Sequence, residues 1–129
     1  MNIEQNFILN QLAHFTGSEV HFQYWGNRTL CYTEGVNYLA KETSSYWLID
    51  EIGCVLLPRL IKEHIDRFYT IQLVVNPDLS AVISVGDGNG KTHLQHKITW
   101  TDFPLRDEPV DFYLCDSCDY YCLMLPSEY

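Results

Sequence analysis

Cys115, Cys118 and Cys122 come nearest, in type and spacing, to residues that do chemistry. In a hairpin turning at Asp116-Ser117-Cys118-Asp119, Cys115 and Cys122 fall on one face, and a tight turn brings Cys118 to the same side. Three thiolates so placed could hold zinc, with a histidine, Cys31 or Cys54 as fourth ligand. The pattern is half a zinc signature, because no second CxxC and no HxxxH accompanies it. The simpler reading is of reduced thiols packing as small apolar groups beside Tyr113 and Tyr120, with no metal and no cofactor. A redox or intermolecular disulfide role is the third reading.

The other reactive side chains point to less. His93 and His96 are three apart in an expected strand, so they face opposite ways and chelate poorly; exposed strand histidines are the better reading. His14 and His64 stand near expected helix ends, where a cation complements the dipole. Gly86-Asp87-Gly88-Asn89-Gly90 lacks the Lys-Ser/Thr of a phosphate loop and the later acids of a calcium loop, and reads as a hairpin turn. No G-x-S-x-G, HExxH or protease-type cysteine context occurs, so the chain is not expected to be an enzyme. Cys31 or Cys54 could still meet a histidine in space.

The remaining signal is a mixture of tyrosines and acids. Tyr113, Tyr120, Tyr121 and Tyr129 lie among Asp111, Asp116, Asp119 and Glu128, which suits a protein-binding surface where tyrosine gives area and carboxylates steer. A solvated acidic face is the competing reading. The formal charge is −9, and from Thr101 onward seven acids stand against Arg106 alone, six of the nine excess charges. That balance excludes a surface held by phosphate contacts to nucleic acid or anionic lipid. It permits acids that imitate a phosphate backbone in a basic groove of another protein. The contacts expected from this reading are Asp111, Tyr113, Asp116, Asp119 and Tyr120.

These residues need a body to position them. At 129 residues and 47% hydrophobic, the chain is expected to be one globular domain over residues 1–129, able to bury a core without staples. Its N-terminus lacks a signal peptide's pattern and no apolar run approaches a membrane span, so a cytoplasmic protein with reduced cysteines is expected. The centre is Ser44–Ile65: Leu48, Ile52, Val55 and Leu56 recur at helical spacing, with Ser44 or Ser45 as N-cap. Pro58 should kink that helix or start a second one at Arg59.

Asn2–Phe15 reads as an amphipathic helix ended by Gly17, Glu19–Tyr32 as a small hairpin, and Val36–Glu42 as a short helix opened by Thr33-Glu34-Gly35. After Arg67 the period alternates. Phe68–Val75 and Ser80–Val85 flank the Asn76-Pro77-Asp78 turn, His93–Trp100 follows, and Val110–Cys115 with Tyr120–Leu125 form a last hairpin. The expectation is an α+β fold: an antiparallel meander of about five strands packed on the central kinked helix, with the N-terminal helix and a small hairpin.

Several segments together, FTGSE at Phe15–Glu19, YTEGVNYLA at Tyr32–Ala40, SYWLIDEI at Ser45–Ile52, DLSAVISVGDGNG at Asp78–Gly90, TDFPL at Thr101–Leu105 and the terminal LMLPSEY, carry a resemblance. From about Phe15 onward the chain resembles a small bacterial and phage family, domain-of-unknown-function family 6876. The resemblance implies carriage on phages, plasmids or other mobile elements and no assigned activity. The chain departs from the pattern at Leu114–Cys122 and around Cys54–Arg67. With the acidity, this leads to the expectation of a binding module that inhibits a host defence or nucleic-acid-handling protein; a zinc module on Cys115, Cys118 and Cys122 is the alternative.

Overall fold

The computed structural model describes residues 21–25, 29–63, 67–104, 109–116 and 120–129. The expected helix over Asn2–Phe15, with His14, and also His64, Cys118 and Asp119, lies outside them. Two short strands, β1 (His21–Gln23) and β2 (Leu30–Thr33), lead into helices α1 (Glu34–Glu42) and α2 (Tyr46–Glu51), a π-helical turn (Ile52–Leu56) and helix α3 (Leu57–Glu63). Strands β3 (Phe68–Val75), β4 (Ala81–Gly86), β5 (Thr92–Ile98), β6 (Val110–Asp116) and β7 (Tyr121–Met124) follow, and a 3-10 turn (Pro126–Glu128) ends the chain.

The fold is α+β, as the change of period predicts, but the sheet differs from a five-strand meander. It has seven described strands in the order β1-β2-β7-β6-β3-β4-β5. The hairpin β1–β2 belongs to this sheet, joined by a parallel pairing of β2 with β7, so the sheet is mixed. After β5 the chain does not add the next strand at the growing edge. In the described part of the connection that follows, Thr101 N–H donates to the Leu79 carbonyl at the β3–β4 turn (2.8 Å) and Phe103 is fully buried, and β6, from Val110, pairs with the far side of β3. The β5–β6 connection is long enough for such a crossing, whereas a two-residue turn forces neighbours together.

Strand alternation decides which face is which. Tyr69, Ile71, Leu73, Val75, Ile83, Val85, Phe112, Leu114 and Leu123 point inward and pack with Val36, Leu39, Leu48, Ile52, Leu56 and Leu60 of the helices. The opposite face, here called outer, carries Phe68, Thr70, Gln72, Ser84, Asp111, Tyr113, Cys115, Cys122 and Cys31.

The helices follow local chemistry closely. Thr33 caps α1 by accepting from Val36 N–H, and Val36, Leu39 and Ala40 are its buried stripe, as read. Ser45 stands at the N-cap of α2 but makes no side-chain capping bond; its hydroxyl pairs with that of Thr43 at 2.5 Å. Pro58 sits in the first turn of α3, which begins at Leu57 instead of Arg59. Without an amide at Pro58 an uninterrupted α-helical ladder is impossible, and the wider turn, in which Leu57 N–H donates to Ile52 O five residues back, takes up the mismatch. Among the described residues no helix is long and apolar enough to cross a membrane.

Candidate functional site

The C-terminal strands position three groups of interest. First is an aromatic cluster on the outer face. Phe68 and Tyr113 lie on adjacent strands with ring centroids 5.0 Å apart, and Tyr129 folds back from the 3-10 turn to meet them edge-on at 5.5 and 5.4 Å. Tyr129 is nonetheless 78% exposed. Two residues along β6 from Tyr113, on the same face, exposed Asp111 accepts from Gln72 Nε2 at 3.0 Å. Beside them runs a groove of about 310 Å3 between Thr70, Gln72, Ser84, Lys91 and Asp111. The Gly86–Gly90 turn closes its end, with Asp87 accepting from Asn89 N–H (2.7 Å) and Lys91 N–H (3.2 Å). Those bonds hold the Asp87 carboxyl below the usual carboxylate range.

The expected contact residues do not form one patch. Asp111 and Tyr113 share the outer face. Asp116, at the end of β6, has the opposite parity and pairs with Tyr121. Tyr120 is exposed at the β2 side of the sheet, where with His21, Gln23, Leu30 and Cys31 it lines a separate opening of about 290 Å3.

Second is a row of thiols. Cys115 and Cys122 stand directly opposite each other on β6 and β7, on one face as the spacing predicts. Across the parallel pairing Cys122 also stands directly opposite Cys31. Interaction with the Cys122 thiol lowers the pKa of Cys31, while interaction with Cys31, burial and nearby charge raise that of Cys122; burial alone raises Cys115. Among the described residues no group of three or more His, Cys, Asp or Glu could hold a metal ion. Cys118, the third thiol of the expected zinc set, lies outside the described residues.

Third is the join between the chain's end and α1. Glu128, only 7% exposed, accepts from Thr33 Oγ1 (2.6 Å), Leu125 N–H (3.0 Å) and Gly35 N–H (3.3 Å), a carboxylate set against the first turn of a helix. A Cβ at Gly35 would come within 2.5 Å of Glu128 Oε1, so the glycine makes room for the carboxylate.

Sequence reasoning did not single out the cluster around the π-helical turn. There Tyr24, buried, donates to Asp50 Oδ1 at 2.7 Å and lies 3.2 Å from exposed Cys54 Sγ. Its ring rests on Gly53, where a Cβ would stand 2.7 Å away. Burial, then the contacts with Cys54 and Asp50, raise the Tyr24 pKa and keep it a donor. The helix break at Pro58 was the available signal, since π-turns accompany functional or strained positions. Nor are the strand histidines exposed. A register shift at Val85/Gly86 turns His93 against Tyr69 (ring centroids 5.6 Å), and half-buried His96 meets Glu51 at 2.9 Å.

The fold is similar to that of a solved protein of unknown function from Enterococcus faecalis, with a TM-score of 0.59 at 14% identity over 78% of this chain and 90% of that one. A search of curated proteins finds no match. The model of the family of unknown function DUF6876 matches residues 6–129, and the chain belongs to that family.

Proposed function

We propose that the chain works by binding another protein, and that the outer face of the sheet around β6 and the C-terminal turn is its contact surface. The observation carrying this reading is Tyr129: a ring 78% exposed, yet held edge-on by Phe68 and Tyr113 beside Asp111 and the polar groove. An aromatic side chain fixed in place before binding loses little entropy on contact, and tyrosine combines apolar area with a hydroxyl. No helix of the described residues contributes its buried side chains to this face; they belong to the core on the other side. The charge of −9 suits a partner with a basic surface, such as a host defence or nucleic-acid-handling protein whose phosphate-binding groove the acids occupy. In this reading the chain is cytoplasmic, carried by a phage or mobile element, and inhibits by occupation without chemistry of its own.

The test is affinity capture from the host with wild-type chain, Asp111→Lys and Tyr129→Ala, at low and high salt. A basic protein captured by the wild type, released by salt and lost from both variants supports the reading. Retention by both variants at wild-type strength refutes the assigned surface.

A further inference from the structure

The parallel pairing of β2 with β7 places Cys31 and Cys122 side by side, and neither the partner-binding surface nor the core requires two thiols there. Directly opposed residues on neighbouring strands are about 5 Å apart, within the roughly 4.4–6.8 Å between Cα atoms that a disulfide accepts. The two residues are directly opposed in the existing register, so closing an S–S bond needs no change of it. Access is one-sided. Cys122 is 2% exposed, whereas Cys31, 7% exposed, lies at the floor of the opening of about 290 Å3 edged by His21, Gln23 and Tyr120. The opening gives a small oxidant a way to Cys31.

We propose that Cys31 and Cys122 form a peroxide-reactive dithiol, with Cys31 as the attacking sulfur, Cys122 as the resolving thiol, and hydrogen peroxide or another small hydroperoxide as the co-substrate. The Cys31 thiolate attacks one peroxide oxygen. An S–O bond forms, the O–O bond breaks, and hydroxide leaves, taking up a proton to become water. Cys122 then attacks the sulfur of the Cys31 sulfenic acid: an S–S bond forms, the S–O bond breaks, and the hydroxyl departs as a second water with the Cys122 proton. In sum two thiols are oxidised by two electrons and one peroxide is reduced to two waters; an external dithiol reverses the reaction. The product cross-links β2 to β7, the strand pairing that joins the β1–β2 hairpin to the rest of the sheet among the described residues. Cys115 also faces Cys122, from β6; Cys31 is the thiol that lines the opening beside Tyr120, and the position of the link separates the two pairs.

The test is titration of the reduced full chain with hydrogen peroxide up to one equivalent, followed by thiol counting under denaturing conditions and peptide mapping. The expected result is a fall from the five thiols of the sequence to three, a mass lower by two hydrogens, and a link between tryptic peptides Thr29–Lys41 and Asp107–Tyr129 that fragmentation places at Cys31 and Cys122. Cys115→Ser and Cys54→Ser should oxidise like wild type, and Cys31→Ser should give no intramolecular disulfide. A wild-type link at Cys115, Cys118 or Cys54 instead, retention of all five thiols, or undiminished disulfide in Cys31→Ser overturns the proposal. The wild-type map decides this even if a substitution at Cys122 fails to fold.

Discussion

Replacing Glu128 by alanine should be among the most destabilising surface-to-interior changes in this chain, because one carboxylate satisfies three donors there. Truncation strands the amides of Gly35 and Leu125 in a site closed to water and removes a negative charge from the start of α1. Hydrogen bonds to a charged acceptor are worth roughly 1.5–3 kcal/mol each, and the losses overlap, so a total of about 3–4 kcal/mol is expected. At about 3–5 °C per kcal/mol for a chain of this length, Tm should fall by roughly 10–20 °C. Gly35→Ala should also destabilise, by about 1–3 kcal/mol, since its Cβ would sit 2.5 Å from Oε1 of the same carboxylate and must displace it. The two costs share a cause. Urea denaturation of both single variants and the double variant should therefore give a coupling of at least about 1 kcal/mol, with Gly35→Ala much less harmful once the carboxylate is gone. Part of its cost should remain, because Leu125 Cδ1 would lie 2.7 Å from the same Cβ. Strict additivity, or a Glu128→Ala chain as stable as wild type, would refute the cap.

Two further perturbations test neighbouring claims. Tyr24→Phe keeps the ring on Gly53 and removes the hydroxyl that binds Asp50 and Cys54; a loss of about 1–2 kcal/mol is expected in chemical denaturation, and no loss would mean that the hydroxyl is satisfied equally well by water when unfolded. Asp87→Asn should lower Tm at neutral pH. The folded Asp87 carboxyl titrates below its ordinary value, so its contribution is present above that value and disappears as pH falls through the folded one; the Tm difference between variant and wild type should close in acid, and a difference constant with pH would contradict it.

Much of this arrangement is legible in the sequence because its causes are local. Thr33 before an i, i+3, i+4 apolar stripe specifies α1, and Asn76-Pro77-Asp78 between alternating runs specifies the β3–β4 hairpin. Cys115 and Cys122 can be placed face to face from turn length alone. The rest depends on contacts far apart in the chain. Nothing near Leu30–Thr33 announces that it will pair in parallel with Tyr121–Met124, which is why the two small strands read as a separate hairpin and the Cys31–Cys122 contact stayed hidden. The placement of β6 beside β3 is likewise a long-range pairing, reached by a connection in which Phe103 is buried in the core. Glu128 read as one more surface acid, since its donors lie more than ninety residues upstream at Thr33 and Gly35. His93 escaped an alternation argument because a bulge changes the parity on which that argument rests.

The central claim, that the outer face around β6 and the C-terminal turn meets a partner protein, is tested most directly by hydroxyl-radical footprinting of the chain alone and in complex with the captured partner. Tyr129 and Trp25 are 78% and 86% exposed, so both rings should be modified readily in the free chain. The account predicts that the partner suppresses modification of Tyr129 and Tyr113 and leaves Trp25 unchanged. Protection of Trp25 with Tyr129 still fully reactive would contradict it.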